Sequence, residues 1–176
     1  MSDKMIKVNV CDIDIKEYEK EIITKRGLDF MLNASGISVP IGDSRNEIIV
    51  YSYENHIRVS AYSGGLDDIF MILNKYVWAL LSARNNLLNT ENISSEANMI
   101  FISEANTLKV VYSQCITRSE IEKVCHVARF FSGWSDVVGA KSSMEMLISR
   151  ISNKNLSLKN CLKVIENVHR EWNHIN

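Results

Sequence analysis

Residues 98–116, NMIFISEANTLKVVYSQCI, decide the fold class. Asn98 to Ser103 is an apolar, β-branched run, and Thr107 to Ile116 is a second one. Glu104-Ala105-Asn106 separates them, so the stretch reads as a β-hairpin. In the second run Leu108, Val110, Tyr112 and Ile116 alternate with Lys109, Ser113 and Gln114, the period of a strand with one buried face. Thr117 to Glu120 (TRSE) follows at once with the spacing of a helix capping box. The helix it opens carries Ile121, Val124, Ala128, Phe131 and Val138 on one stripe, with Trp134 at its border. A hairpin running into a capped amphipathic helix makes the chain α+β.

Upstream, Met5 to Ile15 alternates and reads as a short strand or an ordered arm. Lys16 to Asn33 reads as a helix with Tyr18, Ile22, Ile23, Met31 and Leu32 as its apolar positions. Gly27 weakens its middle and Asn33-Ala34-Ser35-Gly36 closes it. Ile37 to Ile41 is short and extended, and Pro40 confines it to an edge or a loop. Glu47 to Tyr53 and His56 to Ser63, joined by Glu54-Asn55, read as an earlier hairpin with Ile57, Val59 and Ala61 on one face. Gly64-Gly65 breaks the sheet. Leu66 to Leu88 then has helical period, with Asp67 and Asp68 near its positive end and an apolar stripe of Ile69, Leu73, Tyr76, Val77, Leu80 and Leu81. Met71 and Trp78, seven apart, share a different face. They are either peripheral core residues or a second face buried on a partner subunit.

Downstream of Gly139-Ala140, Ser142 to Ile151 and Ser157 to Trp172 read as two more helices, split by the polar Ser152 to Asn155. The expectation is an antiparallel sheet of about four to five strands packed with three helices over residues 1–139, plus a helical C-terminal extension over residues 140–176. Charge follows the same division. The 176 residues carry a net charge of -1, with about -4 on residues 1–139 and +3 on the extension.

Proline occurs once and glycine seven times, which excludes collagen-like and Pro-rich disordered chains. The near-zero net charge gives no overall field favouring nucleic acid or a membrane surface. No apolar run approaches the roughly 20 residues a membrane span needs, and Met1 to Val10 lacks a signal-peptide core. The chain is therefore expected to be cytoplasmic. Cys11, Cys115, Cys125 and Cys161 are scattered without a CxxC pair, so reduced thiols are expected. Cys125 and His126 are sequence neighbours, but on a helix they point apart. Cys115 and Cys125 read as small buried apolar groups.

Chemistry-bearing patterns are missing. There is no GxxxxGK[ST], no GxGxxG and no GxSxG. His56, His126, His169 and His174 lack metal-ligand spacing, and Asp12 and Asp14 read as solvated acids near the start of the chain. The expectation is no catalytic residue, no metal, no cofactor and no nucleic-acid partner, hence a protein that is not an enzyme. A pocket of Asp or Glu with perturbed pKa would reverse that. The basic extension reads as a docked amphipathic helix pair before it reads as a nucleic-acid arm.

The order helix, strands, helix, short hairpin, helix resembles the class I chaperones of bacterial type III secretion, the Tir-chaperone family. The resemblance rests on WALLSARNNLL (Trp78 to Leu88), MIFISEANTLKVVYS (Met99 to Ser113) and EIEKVCHVARFFSGWSDVV (Glu120 to Val138), and covers residues 16–138. It implies a cytoplasmic bacterial homodimer, linked to virulence, that holds the extended N-terminal segment of a secreted effector in an export-competent state. It further implies an effector groove, for which Leu28, Phe30, Met31, Ile49 and Tyr51 are the candidates, and a dimer face on the central helix anchored by Met71 and Trp78. The alternative is another α+β protein-binding module, such as an immunity protein or a regulatory adaptor.

Overall fold

The computed structural model describes residues 4–10, 15–41, 44–113, 118–152 and 156–175. Cys11, Asp12, Asp14, Cys115 and Thr117 lie outside them. The described chain runs β1 (Met5–Asn9), α1 (Glu17–Lys25), β2 (Asn33–Ile41), β3 (Ser44–Ser52), β4 (Ile57–Arg58), α2 (Leu66–Asn85), β5 (Ile100–Ile102), β6 (Leu108–Val110), α3 (Glu120–Ser132), α4 (Ala140–Ile151) and α5 (Leu158–Ile175).

The α+β class is as expected, but the sheet is not single. The described strands form two antiparallel sheets of three, in the orders β1-β3-β2 and β4-β5-β6. The expected hairpin of residues 47–63 does not form, because both edges of β3 are already taken. β1 pairs with it through Ile6↔Tyr51 and Val8↔Ile49, and β2 through Ala34↔Tyr51 and Gly36↔Ile49. β4 pairs instead with β5, through Ile57↔Ile102 and Arg58↔Phe101. Only two of the eight residues expected in that strand pair in a sheet, since Val59–Ala61 wind into a 3-10 turn. Val59 is buried while Ala61 is exposed.

The first helix is shorter than expected and stops at Lys25. Gly27 adopts φ +57, a left-handed conformation that suits glycine and turns the chain away. Asn33 to Gly36, read above as a helix stop, begin β2. Leu28, Phe30 and Met31 therefore lie in the link between α1 and β2, and Met31 makes a parallel bridge with Val110 between the two sheets. The later hairpin is present as β5 and β6, with Asn106 at φ +58 in its turn, a conformation asparagine tolerates.

The capping box of α3 sits two residues later than expected. Ser119 Oγ accepts from the Glu122 amide at 3.3 Å, and Glu122 Oε2 accepts from the Ser119 amide at 2.8 Å. The segment SEIE satisfies the same spacing two residues along. Val124, Ala128 and Phe131 are buried as the stripe requires, but α3 ends at Ser132 and Val138 is 88% exposed.

Helices α4 and α5 pack on the rest of the chain, α4 against α3 and α5 against both α2 and α4. Met144, Leu147, Ile165 and Val168 belong to the same apolar cluster as Leu73, Val77 and Phe131. Each such side chain contributes about 1.5–3 kcal/mol by leaving water.

Candidate functional site

Two surroundings compete for attention: the face of α2 and a polar network buried behind it. On α2, Phe70 and Tyr76 are buried, whereas Trp78 is 57% exposed. Met71, on the same face, is half-buried and packs against the core. The indole of Trp78 is the largest exposed apolar group on the helix, and Trp is a residue type enriched at the energetic centres of protein interfaces. Beside Met71 a shallow cleft of about 340 Å³ separates α2 from α5, lined by Phe70, Lys75, Ile165, Glu166 and His169 among others. His169 stacks on Phe70 with ring centroids 4.5 Å apart, and its Nε2 lies 2.6 Å from Asp67 Oδ1.

The five groove candidates are not arranged as a groove. Met31, Ile49 and Tyr51 are fully buried, and Leu28 and Phe30 are partly buried against the same core. Ile6, Val8, Ile49 and Tyr51 share one buried face of the first sheet through their cross-strand register. The Tyr51 hydroxyl donates to the Tyr112 carbonyl at 2.9 Å, and burial pushes its pKa well above the ordinary range. These side chains are structural, because period-two alternation identifies an apolar face without saying whether it meets a client or the protein's own core.

Sequence reading missed the polar network. Glu19 of α1 is buried, and its carboxylate accepts three hydrogen bonds. Oε1 takes the Asn89 amide at 2.7 Å and the Tyr112 hydroxyl at 2.8 Å, while Oε2 takes the Lys16 amide at 2.9 Å. Asn92 Nδ2 donates to the Tyr112 hydroxyl at 3.2 Å. From the other side Lys123 of α3, also buried, donates Nζ hydrogens to the carbonyls of Glu91 at 2.7 Å and Ile93 at 2.5 Å. Tyr76 donates to the Ser94 carbonyl at 3.0 Å, and Arg118 reaches Ser95 Oγ and Glu96 Oε1, both at 3.0 Å. Residues 89–96 are thus held by side chains from α1, α2, α3 and the segment before α3. One signal was available: Glu19 stands at helical spacing with Ile22 and Ile23, and Lys123 stands next to Val124 on the core side of its helix. The network fixes the loop's conformation, since a buried charge is tolerated only when its hydrogen-bonding capacity is filled.

Cys125 and Cys161 are both buried and reduced. Burial raises the Cys125 thiol, although Ser152 Oγ at 3.7 Å opposes this, and burial pushes Cys161 up to about 12. Both are therefore neutral thiols at neutral pH. Among the described residues no three His, Cys, Asp or Glu side chains are grouped to hold a metal ion. Among the same residues no helix is long and apolar enough to cross a membrane.

No family model matches this chain, and no curated protein matches it. Among solved structures it is similar to the ESSB cytoplasmic fragment of Staphylococcus aureus, at 11% identity and a TM-score of 0.45, over 93% of this chain and 91% of that one. An overlap of that size carries no argument about function.

Proposed function

We propose that this chain acts by binding another polypeptide rather than by catalysis, and that the exposed face of α2 is where two copies meet. The observation that carries this reading is Trp78, 57% exposed in the middle of a helix whose other aromatic side chains are buried. Tryptophan is the residue most enriched at the energetic centres of protein interfaces, because it adds large apolar area at little cost in rotamer entropy. Met71, one heptad back, supplies a soft neighbour that adapts to the partner surface. A two-fold axis passing near Trp78 would bury the same patch on both copies. Light scattering on the wild-type chain then gives twice the 20.1 kDa monomer mass, and Trp78→Glu gives the monomer mass. A monomer for both proteins at high concentration rules out the face.

Within that reading, the order of elements favours the export chaperone of the type III class acting in the bacterial cytoplasm. From α1 to α3 the chain runs helix, three strands, helix, two strands, helix, the order the resemblance implies. The groove residues above are buried, so a client segment would instead add as a strand along β1 or β2, the edge strands of the first sheet. Co-purification with a secreted protein, followed by limited proteolysis, tests it. Protection of an extended N-terminal client fragment supports the chaperone, and protection of a compact folded domain contradicts it and favours an immunity or adaptor protein.

A further inference from the structure

Arg58, Phe101 and Lys109 stand in one row across the second sheet. Arg58 pairs with Phe101 between β4 and β5, and Phe101 pairs with Lys109 between β5 and β6. Directly opposed residues of antiparallel strands share a face, so the two cations flank one buried ring. The Arg58 guanidinium lies over two rings, 5.4 Å from the Tyr53 centroid and 5.8 Å from that of Phe101. Those rings contact each other at 5.0 Å. Among the described residues no carboxylate stands within ion-pair distance of Arg58 or Lys109. Both side chains are only partly exposed.

Two partly exposed cations on one sheet face, neither ion-paired among the described residues, favour an anion placed between them. A stacked guanidinium also has its planar fork of donors held in place, with the edge rather than the face free for an oxyanion. His56 records the same positive field, since burial and then the charge of Lys109 lower its pKa.

We infer that Arg58 and Lys109 form an anion site that takes the carboxylates of an acidic segment on a polypeptide partner. The inference rests on the protein-binding reading but uses a different surface from Trp78. The spacing specifies the segment further. The backbones of β4 and β6 are two inter-strand steps apart, about 9.6 Å, and alternate residues of an extended peptide are about 6.8 Å apart. The length of the Arg and Lys side chains absorbs the difference. The segment is therefore an acidic-x-acidic stretch running across the strands, one carboxylate forked on Arg58 and the next on Lys109. Tyr53 offers apolar area to the residue between.

The test is calorimetric titration of the full chain with a capped Glu-Tyr-Glu peptide at low salt, against a Gln-Tyr-Gln control. The site predicts binding of the acidic peptide only, weakened at least about tenfold by Arg58→Gln and several-fold by Lys109→Gln and by added salt. Arg58→Gln removes packing from Tyr53 and Phe101, so Lys109→Gln, which stacks on neither ring, separates lost binding from lost folding. Arg58→Lys keeps the charge and loses the fork, so it falls between. Equal affinity for wild type and Lys109→Gln, no binding of the acidic peptide, or tighter binding of inorganic phosphate than of the peptide overturns the site. None of these outcomes alters the dimer mass, so failure here is distinct from failure of the α2 interface.

Discussion

The indole of Trp172, near the end of α5, fills the space that a side-chain carbon on Gly139 would occupy. Gly139 caps α4 with φ +81, a left-handed conformation. One residue before Trp172, Glu171 receives both Nη groups of Arg150 from α4 at 2.8 Å each. Three successive contacts, through His169, Glu171 and Trp172, thus fix the end of α5 to α2, to α4 and to the α3–α4 junction.

Gly139→Ala combines an unfavourable φ with a clash against the ring. It should lower stability by about 2–4 kcal/mol, read as a fall in the urea midpoint. Hydrogen exchange should rise first in α5. Unchanged protection of α5 would mean that Trp172 relocates freely.

A second expectation concerns Glu19. Replacing it by Gln leaves one acceptor but turns an amide group toward the Lys16 or Asn89 N–H, and removes the charge from three hydrogen bonds. The expected loss is about 1–3 kcal/mol, with local exposure of residues 89–96 detectable by protease cleavage there. Lys123→Met, which strips the donors from two buried carbonyls, should loosen the same segment from its other side.

Leu87 points the opposite way. It follows the C-cap of α2 at φ +61 and is 72% exposed. The Leu88 amide bonds back to Ala83 and the Leu87 amide to Arg84, both at 3.0 Å, a Schellman turn in which the residue just after the C-cap, here Leu87, is normally glycine. Leu87→Gly should therefore stabilise the chain by about 0.5–1 kcal/mol, seen as a higher thermal midpoint. A loss would show that the leucine has a partner on that surface.

Much of the fold was legible where one physical rule dominated. The hairpin of β5 and β6, helix α2 and helices α4 and α5 all follow from periodicity and from Gly or polar breaks. Errors arose where two rules competed. Residues 28–36 keep apolar groups at both helical and alternating spacing, and the left-handed turn at Gly27 decides between them. Residues 57–63 alternate well, but Val59 turns inward as Ala61 turns out, and the strand ends after two residues. Beyond the hairpin of β5 and β6, the identity of a strand's neighbour was not legible, because it depends on which edges other strands have taken. For the candidate site, the spacing of Met71 and Trp78 marks one face of α2, whose role as a meeting face is the proposal made above, while Glu19 and Lys123 were hidden by the assumption that charged residues face water.

His56 contributes a pH dependence of stability whose sign follows from its surroundings. Burial, then the charge of Lys109, hold its imidazole below the ordinary value. The unfolded chain accordingly takes up a proton at higher pH than the folded one. The stability tied to neutral His56 is complete above the unfolded value of about 6.5 and is lost as pH falls through it toward the folded value. His56→Gln should flatten the acid limb of the profile, and Lys109→Gln, which removes one cause of the lowered value, should make the limb shorter and shallower. Urea midpoints across that range, identical for wild type and His56→Gln, would remove His56 from the account.

The central claim, that Trp78 marks the meeting face of two copies, is tested most directly by fluorine NMR on full-length protein carrying fluorotryptophan. The Trp78 resonance is identified by its absence from Trp78→Phe. The account predicts that this signal alone shifts and loses its sensitivity to solvent as protein concentration is raised, while those of Trp134 and Trp172 stay in place. A Trp78 signal that remains solvent-exposed and unmoved at every concentration contradicts it.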